Sequence, residues 1–317
     1  DLLPKDGRFG SGPSKIRQEQ IDHLVANSNL LGTSHRQAPI KNLVAGVQEK
    51  FSQLFNLPDG YEVLLTNGGA SLMWDAATFS IIQEKSAHAT YGEFSSRFAN
   101  IASAAPHLKE PTVISATPGT AGFLEANEEV DTYALTHNET STGVMIEPYR
   151  VGNENSVVMI DATSGAGSKA VDASIYDMYY FSLQKSFSSE GGLVFALCSP
   201  KMIERIQKVD RFAPAILDLK TTVENSRLHQ TLNTPALSTL ILADAQLNWM
   251  LENGGMSFCE KRCSDSSSQL YNWADSNELT NPFVKDESLR SLVSVTIDID
   301  EKIDFEDVVA ALRANGI

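Results

Sequence analysis

The chain of 317 residues is long enough to form one large domain and a smaller one. Its hydrophobic fraction of 42% and aromatic fraction of 8% are typical of a soluble globular protein. Its net charge of −15 argues against nucleic acids and anionic membranes as partners, because both would repel an acidic surface.

The sequence shows no pattern that predicts export, membrane insertion or a metal site. Its longest apolar runs, such as LSTLILADA from position 237, are too short and interrupted to span a bilayer. The first ten residues lack the apolar segment of a secretory signal. Cys198, Cys259 and Cys263 have neither a disulfide framework nor metal-ligand spacing, so we expect reduced thiols in a cytoplasmic protein.

Helical and strand-like patterns alternate along most of the chain. Helical periodicity is found at about 15–30, 38–55, 70–83, 94–104, 200–210, 236–251 and 257–275. Strand-like runs lie at about 61–66, 87–91, 112–115, 131–136, 157–161, 177–182 and 192–198. This alternation predicts an α/β fold with a mostly parallel, mixed sheet that is flanked by helices.

The two glycines of LENGG (251–255) mark the clearest domain boundary. We therefore predict a large domain over 1–254, whose N-terminal segment is able to pack on a small α+β domain over 255–317. In the small domain, SLVSVTIDI (291–299) reads as one strand and DFEDVVAALRANG as a short helix. One strand and one helix leave sheet edges open, so we expect this small domain to be incomplete in the chain.

Two strand-like runs end in an acid and an amine. VVMID ends on Asp161, and DMYYFS is followed by Leu183, Gln184 and Lys185. In open α/β sheets, ligands bind outside the carboxyl ends of the strands. An acid and an amine at neighbouring strand ends suit pyridoxal phosphate, because the acid holds a proton on the pyridine nitrogen and the amine forms a Schiff base with the aldehyde.

Two further motifs follow strands in the same way. YEVLLT leads into Asn67, two glycines, Ala70 and Ser71, where a helix begins; such a turn offers free N–H groups and a positive dipole end to phosphate. DTYALTH leads into NETSTG (138–143), which is rich in amides and hydroxyls. Each motif alone is also typical of an ordinary turn, a capping Asp or a solvated Lys. Their shared position at the strand ends favours a common site.

These residues also carry a family resemblance. GRFGSGPSKIR, GTSHRQAP, LTNGGAS, TYGEFSSRFA, HNETSTG, IDATSGAG, QKSF, LNTPALST and RANGI, which together cover nearly the whole chain, resemble the class V (fold type I) pyridoxal-phosphate aminotransferases. The resemblance is strongest to the phosphoserine aminotransferase branch of actinobacterial type. Members of this family continue for several tens of residues beyond the position of Ile317, so we expect a tail to be missing here.

The resemblance implies a reaction and an assembly. It implies a homodimer with composite active sites that transaminates O-phospho-L-serine with 2-oxoglutarate, giving 3-phosphooxypyruvate and L-glutamate in L-serine biosynthesis by ping-pong half-reactions. Some members also use 4-phosphohydroxy-L-threonine in pyridoxine biosynthesis.

Four roles around the cofactor ring follow from the resemblance. Lys185 matches the residue that forms the Schiff base and then moves the proton, and Asp161 matches the partner of the pyridine nitrogen. Thr140 matches the residue that hydrogen-bonds the O3′ atom of the ring. Phe94 matches the aromatic residue that stacks on the ring, which is Trp in many members, although an ordinary core Phe is an equally good interpretation.

The resemblance also places residues at the cofactor phosphate. Ala70, Ser71 and Gln184 match residues of the same subunit that bind it. Asn233 and Thr234 match residues that reach it from the other subunit. Asn-Thr-Pro is also an ordinary helix start, and the two interpretations are compatible.

Two family positions bind the substrate, and two others differ here. His35 and Arg36 match residues that bind the phosphate or distal carboxylate of the substrate across the dimer. Ser71, however, stands where many members have an arginine for the substrate phosphate. The family's arginine for the α-carboxylate lies beyond Ile317.

Two alternatives stay open from the sequence. The chain is also compatible with another class V enzyme, such as an alanine–glyoxylate aminotransferase, or with a cofactor-binding fold that is inactive because its tail is missing. A cysteine desulfurase fits poorly, because it needs a reactive Cys on a mobile loop. Cys259 and Cys263 lie in a helical pattern, and Cys198 ends a strand.

Overall fold

The computed structural model describes residues 6–317. Residues 1–5, which fall in the predicted large domain and in the N-terminal stretch that lacks an apolar signal segment, lie outside the described part of the chain. In the described part, no helix is both long and apolar enough to cross a bilayer.

A seven-stranded mixed sheet forms the centre of the fold. Its spatial order is β1-β9-β8-β7-β4-β2-β3, and β9 is antiparallel to both of its neighbours. The other pairings of this sheet are parallel. Its strands are β1 (Glu62–Asn67), β2 (Ser86–Thr90), β3 (Thr112–Ser115), β4 (Thr132–Thr136), β7 (Val157–Asp161), β8 (Met178–Ser182) and β9 (Leu193–Cys198). Six strands therefore end at the same edge of the sheet, as the alternating pattern predicts.

Helices cover both faces of this sheet. Alternate strand residues point to opposite faces, so that Tyr179 and Phe181 pack with helices α2 and α7, whereas Met178 and Tyr180 pack with α3, α4, α5 and α6. Both faces are apolar, as expected for a sheet that is buried on two sides. The helices are α1 (Gln18–Ala26), α2 (Ala38–Leu54), α3 (Leu72–Ser80), α4 (Glu93–Ala104), α5 (Pro200–Lys208), α6 (Leu219–Arg227), α7 (Leu237–Glu252), α8 (Gly255–Ser276) and α9 (Phe305–Ala314).

Two small antiparallel pairs complete the strands. β5 (Asn138–Glu139) pairs with β6 (Val144–Met145), and β10 (Thr280–Pro282) pairs with β11 (Ile297–Ile299). The turn between α7 and α8 contains Gly254 with φ of 113°, a left-handed conformation that favours glycine. The helix change predicted at LENGG is therefore present.

The sequence prediction is wrong in three places. It misses α6, whose sequence LKTTVENSR is mostly polar and buries only Leu219, Thr222, Val223 and Ser226. It misses β10 and the β5–β6 pair, which are two or three residues long. Only Ile297–Ile299 of the predicted strand 291–299 is a strand, because the N–H groups of Val293 and Ser294 donate to the Ser291 hydroxyl and not to a neighbouring strand.

Candidate active site

A cavity of about 350 Å³ lies at the carboxyl ends of the parallel strands. Loops after β1, β4, β7 and β8 surround it, together with the start of α4 and a short N-terminal segment. Seven of the predicted site residues line this cavity, namely Ala70, Ser71, Phe94, Thr140, Asp161, Gln184 and Lys185. The other four, His35, Arg36, Asn233 and Thr234, do not.

Asp161 is the last residue of β7 and is only 6% exposed. Its Oδ1 atom accepts hydrogen bonds from the Thr163 backbone N–H at 3.0 Å and from the Thr163 hydroxyl at 2.6 Å. Its Oδ2 atom accepts one from the Trp74 indole N–H at 3.0 Å. Burial raises the pKa of the Asp161 carboxyl, and these hydrogen bonds oppose the rise because they favour the charged form.

Lys185 lies in the loop that joins β8 to β9. Leu183 and Phe187 anchor this loop on either side, since both are buried; Phe187 packs edge-on against Phe51 with ring centroids 5.1 Å apart. Burial lowers the pKa of the Lys185 amine, which increases the fraction of neutral amine at a given pH. The loop is therefore anchored on both sides of Lys185 and presents its nucleophilic amine to the cavity.

The N-terminal segment closes over this lysine. The Lys185 Nζ donates to the Ser11 carbonyl at 2.6 Å, and the Ser14 N–H donates to the Gln184 carbonyl at 2.7 Å. Gly12 has φ of 125°, and a Cβ atom built there would lie 2.6 Å from the Lys185 Nζ. A residue other than glycine would displace the lysine, so the contact requires Gly12.

The turn between β1 and α3 forms another side of the cavity. Gly68, with φ of 123°, donates its N–H to the Gly192 carbonyl at 2.9 Å and so fixes the turn against the start of β9. Among the described residues, no acceptor takes the N–H groups of Ala70 and Ser71, which directly precede α3. These free donors at a helix start are suited to an anion.

Thr140 belongs to a small hydroxyl network on the NETSTG loop. Its hydroxyl donates to the Ser164 hydroxyl at 2.8 Å, and Ser164 in turn donates to the Asn138 carbonyl at 3.1 Å. The Asn138 side chain also reaches the hydroxyls of Ser291 and Ser294. The loop is thus tied to the chain that follows β10.

Glu139 connects this loop to the helix that carries Phe94. The carboxylate is fully buried and accepts hydrogen bonds from the Phe94 N–H at 3.3 Å, the Ser95 N–H at 2.9 Å and the Ser141 hydroxyl at 2.7 Å. An acid at a helix N-terminus is favourable, since the N–H groups there are free and the dipole is positive. Glu139 thereby sets the distance between Thr140 and Phe94.

His35 and Arg36 lie in a separate group, which we call the β1-side cluster and define as His35, Arg36, Gln230, Asn233 and Thr234. Within this cluster the Arg36 guanidinium donates to the Gln230 side chain at 3.2 Å. His35 is 7% exposed, and its Nε2 atom has no partner among the described residues. Burial and, to a lesser extent, the charge of Arg36 lower the pKa of His35, so the ring is neutral at pH 7.

Asn67 connects the cluster to the glycine turn. Its side chain accepts a hydrogen bond from the Asn233 N–H and donates one to the Thr234 carbonyl, both at 3.2 Å. Because Asn67 is the last residue of β1, Asn233 and Thr234 lie beside the turn that bears Ala70 and Ser71. The cluster is therefore connected through Asn67 to the turn that forms one side of the cavity, although its own side chains do not line the cavity.

The sequence interpretation missed three polar groups of the site. These are Trp74, Thr163 and the Glu139 carboxylate. Trp74 lies three residues after Ser71, which places it about one turn further along α3 on nearly the same face. That spacing places Trp74 beside the glycine turn, but nothing in its apolar surroundings indicates the hydrogen bond to Asp161.

A larger cleft, of about 960 Å³, lies at the opposite edge of the sheet. It is formed beside the amino ends of β2, β4 and β7, and four of its charged side chains pair with one another, Lys109 with Glu84 at 2.5 Å and Lys85 with Glu129 at 3.1 Å. Within residues 6–317, no group of three or more His, Cys, Asp or Glu is placed to hold a metal ion. The smaller cavity is therefore the better candidate for chemistry.

The sequence as a whole matches known proteins. Residues 11–317 match the family profile described as aminotransferase class-V. The chain is 51% identical to a phosphoserine aminotransferase of Corynebacterium glutamicum (strain R) and 50% identical to one of Rhodococcus jostii (strain RHA1). Each alignment covers 100% of this chain and 86% of the relative.

Solved structures share the fold. A phosphoserine aminotransferase from Cytophaga hutchinsonii superposes with a TM-score of 0.83 at 23% identity, over 90% of this chain and 81% of that one. One from Bacillus circulans subsp. alkalophilus gives 0.84 at 20% identity, over 98% and 88% of the two chains. A PLP-bound phosphoserine aminotransferase from Trichomonas vaginalis gives 0.81 at 19% identity, over 98% and 99%. At these identities the superpositions show the fold alone.

Proposed function

The chain belongs to the class V aminotransferase family, and from this premise we propose that it is a phosphoserine aminotransferase that uses pyridoxal 5′-phosphate. The observation that carries the proposal is the placement of Asp161 and Lys185 in one cavity with a glycine turn before a helix. Relatives about half identical over the whole chain bear the same name.

The residues of the cavity fit the cofactor. Its volume of about 350 Å³ is within the range of small-molecule sites. The N–H groups of Ala70 and Ser71 have no acceptor within residues 6–317, so they are free to donate to the phosphate. Gln184 lines the same cavity, and its side-chain N–H2 is the group of that residue able to do the same. When bound, pyridoxal phosphate supplies an aldehyde that captures amines and a ring that withdraws electrons from the reacting carbon.

The other residues of the cavity act around the ring. Asp161 would hold the proton on the ring nitrogen, because a buried carboxylate is most favourable beside a positive charge. Lys185 would be the amine that takes the aldehyde and the base that moves a proton to and from the substrate. Thr140 and Phe94 line the same cavity, where Thr140 would hydrogen-bond the hydroxyl of the ring and Phe94 would pack on its face.

The proposed reaction transfers the amino group of O-phospho-L-serine to 2-oxoglutarate, giving 3-phosphooxypyruvate and L-glutamate, as in L-serine biosynthesis. Activity on 4-phosphohydroxy-L-threonine, as in pyridoxine biosynthesis, belongs to the same proposal. A phosphorylated substrate needs local cations in a chain of net charge −15, and Arg36 supplies one at the β1-side cluster. Ser71 supplies none where many members of the family have an arginine.

We also propose a homodimer in which the β1-side cluster of one subunit completes the cavity of the other. In support, His35 and Arg36 are outside the cavity of their own chain, and the buried His35 Nε2 lacks a partner among the described residues. A shared site requires a two-fold arrangement. A cytoplasmic location is in keeping with the three cysteines, which are free in the described structure.

The domain division belongs to this proposal. We place the large, cofactor-binding domain over 1–254 and a small domain over 255–317. The left-handed Gly254 between α7 and α8 supports that boundary, as does the β10–β11 pair, which lies entirely on its C-terminal side.

The proposal is tested by labelling the lysine. The chain is loaded with pyridoxal phosphate, reduced with borohydride and digested, and the modified peptide is identified by mass spectrometry. We expect the label on Lys185 and more than about a 10³-fold loss of transamination in Lys185→Ala, since this residue is both nucleophile and proton carrier. Lys169→Ala is the matched control, because Lys169 pairs with Glu147 away from the cavity. A label on another lysine would refute the assignment.

A further inference from the structure

We propose that Trp74 is a positioning residue for the proposed chemistry, whose indole N–H holds the Asp161 carboxylate in the orientation that a protonated ring nitrogen requires. This inference rests on the proposed function, because it assigns Asp161 to the cofactor ring. Among the three hydrogen bonds to that carboxylate, the Trp74 bond alone comes from another element of the fold.

The lone pairs of the carboxylate are almost fully used. Each carboxylate oxygen can accept about two hydrogen bonds. Oδ1 accepts the two donors of Thr163, and Oδ2 accepts the indole N–H of Trp74. One acceptor position therefore remains, on Oδ2, for a donor in the cavity that Asp161 lines. Without the indole N–H, Oδ2 would lose the one hydrogen bond that it accepts. The buried Tyr180 hydroxyl, which has no partner among the described residues and lies close to both Trp74 and Asp161, would then be the nearest replacement donor and would hold the carboxylate in a different orientation.

Trp74 is itself held firmly. It is 5% exposed and packs nearly parallel to Phe98, with ring centroids 6.4 Å apart and planes at 15°. Phe98 in turn packs edge-on against His88 at 4.8 Å. An indole in such surroundings keeps its N–H direction, so it can act as an orienting group.

The donor is neutral, and this matters for the chemistry. Trp has a donor and no acceptor, so its bond to Asp161 favours the carboxylate over the carboxylic acid. A lysine or arginine at the same place would favour the carboxylate more strongly but would also neutralise it. With Trp74 the full negative charge stays available for the proton on the ring nitrogen.

The helix that carries Trp74 also carries the proposed phosphate contacts. The backbone N–H of Trp74 donates to the Ser71 carbonyl at 3.1 Å in the first turn of α3. The orientation of the Asp161 carboxylate and the positions of the Ala70 and Ser71 N–H groups are thus linked through the first turn of α3.

The test compares two ligands that differ in one atom. Trp74→Phe removes the N–H and keeps an aromatic ring. The affinity of the cofactor-free protein is measured for pyridoxal phosphate and for its carbocyclic analogue, in which a CH group replaces the ring nitrogen. We expect Trp74→Phe to weaken binding of pyridoxal phosphate about tenfold, equivalent to about 1.4 kcal/mol, and binding of the analogue less than about twofold. An equal loss for both ligands, or no loss for either, would overturn the inference.

A second replacement guards against a packing defect. Benzothienylalanine introduced at position 74 keeps the shape of the indole and substitutes sulfur for the N–H. It should reproduce the selective loss with an unchanged melting temperature. Phe98→Leu leaves the N–H but removes the ring that packs on the indole, so it should give the same selective loss in a weaker form. If the benzothienylalanine protein still prefers pyridoxal phosphate over the analogue as strongly as the wild type does, the role of Trp74 is contradicted.

The result also separates this inference from the proposed function. If the wild-type chain binds neither ligand, the proposed function fails. If it binds pyridoxal phosphate more tightly than the analogue and this preference survives in Trp74→Phe, only the positioning role fails. In an Asp161→Asn background, Trp74→Phe should cause no further selective loss, because the acceptor it orients has been removed.

Discussion

Asp161, which lines the cavity, and the β1-side cluster differ in how many of their polar groups are hydrogen-bonded within the chain. Asp161 has three hydrogen bonds from its own chain and lacks only one partner. In the β1-side cluster, the buried His35 Nε2 has no partner within residues 6–317, and neither His35 nor Arg36 lines the cavity. Asp161 is thus already oriented by its own chain, whereas His35 in the β1-side cluster has a polar atom without a partner among the described residues.

The difference follows from the cost of buried charge. A carboxylate that is 6% exposed must be compensated before any ligand arrives, because an unpaired buried charge is strongly unfavourable. The Arg36 guanidinium is exposed enough to stay solvated, and His35 avoids charge because burial lowers its pKa. Groups of this kind tolerate completion by a second subunit.

Among the tests of this comparison between Asp161 and the β1-side cluster, Asp161→Asn should produce the largest effect. The variant keeps the size of the side chain and so should retain the cofactor, but a neutral amide does not stabilise a protonated ring nitrogen. We expect turnover to fall by about 10³-fold, at the scale of losing a general acid or base group. The measurement is kcat together with cofactor content. Asp172→Asn, at an exposed capping acid, is the matched control. Normal turnover in Asp161→Asn would show that Asp161 does not stabilise a protonated ring nitrogen.

Mixed dimers test whether the β1-side cluster works across an interface. Chains carrying Lys185→Ala and chains carrying Arg36→Ala should each be inactive alone. After random exchange, half of the dimers are hybrids with one intact site, so about a quarter of the wild-type activity should return. Exchange is monitored by mass spectrometry with isotope-labelled subunits. Demonstrated exchange without recovered activity would mean that each chain completes its own site.

The pH dependence of cofactor uptake should show the smallest change. Burial lowers the pKa of Lys185, and only the neutral amine attacks an aldehyde. The uptake rate should therefore rise about tenfold per pH unit on the acidic side and level off at a pH below about 10.4, the ordinary lysine value. Stopped-flow absorbance measures the rate, with Nα-acetyl-lysine as reference. A plateau at or above that of the free amino acid would contradict the lowered pKa.

The sequence was sufficient for the sheet and for the residues that meet in the cavity. The alternating runs predicted the strands because a sheet buried on both faces needs continuous apolar residues. The convergence of Asp161 and Lys185 followed because parallel strands end at one edge. Both features depend on local patterns that the chain states directly.

Other contacts could not be predicted, because they depend on tertiary distance. Nothing in LMWDAATFS distinguishes an indole that packs in the core from one that also donates to Asp161, 87 positions away. The same holds for Glu139, whose partners Phe94 and Ser95 lie in the first turn of helix α4. The helix α6 was missed because its polar sequence is stabilised by a capping Asp218 and a few buried contacts and not by a strong apolar stripe.

The contact between Lys185 and the Ser11 carbonyl has a consequence for the order of the N-terminal segment. An amine nitrogen that takes up an aldehyde carbon has fewer hydrogens to donate, so the bond at 2.6 Å to Ser11 weakens at that moment. The bond between Ser14 and Gln184 is unaffected by such a change. When the cofactor is bound, the segment around Gly12 therefore keeps only the Ser14 contact to this loop. Its rate of cleavage by a protease would report whether Lys185 contacts Ser11 or the cofactor.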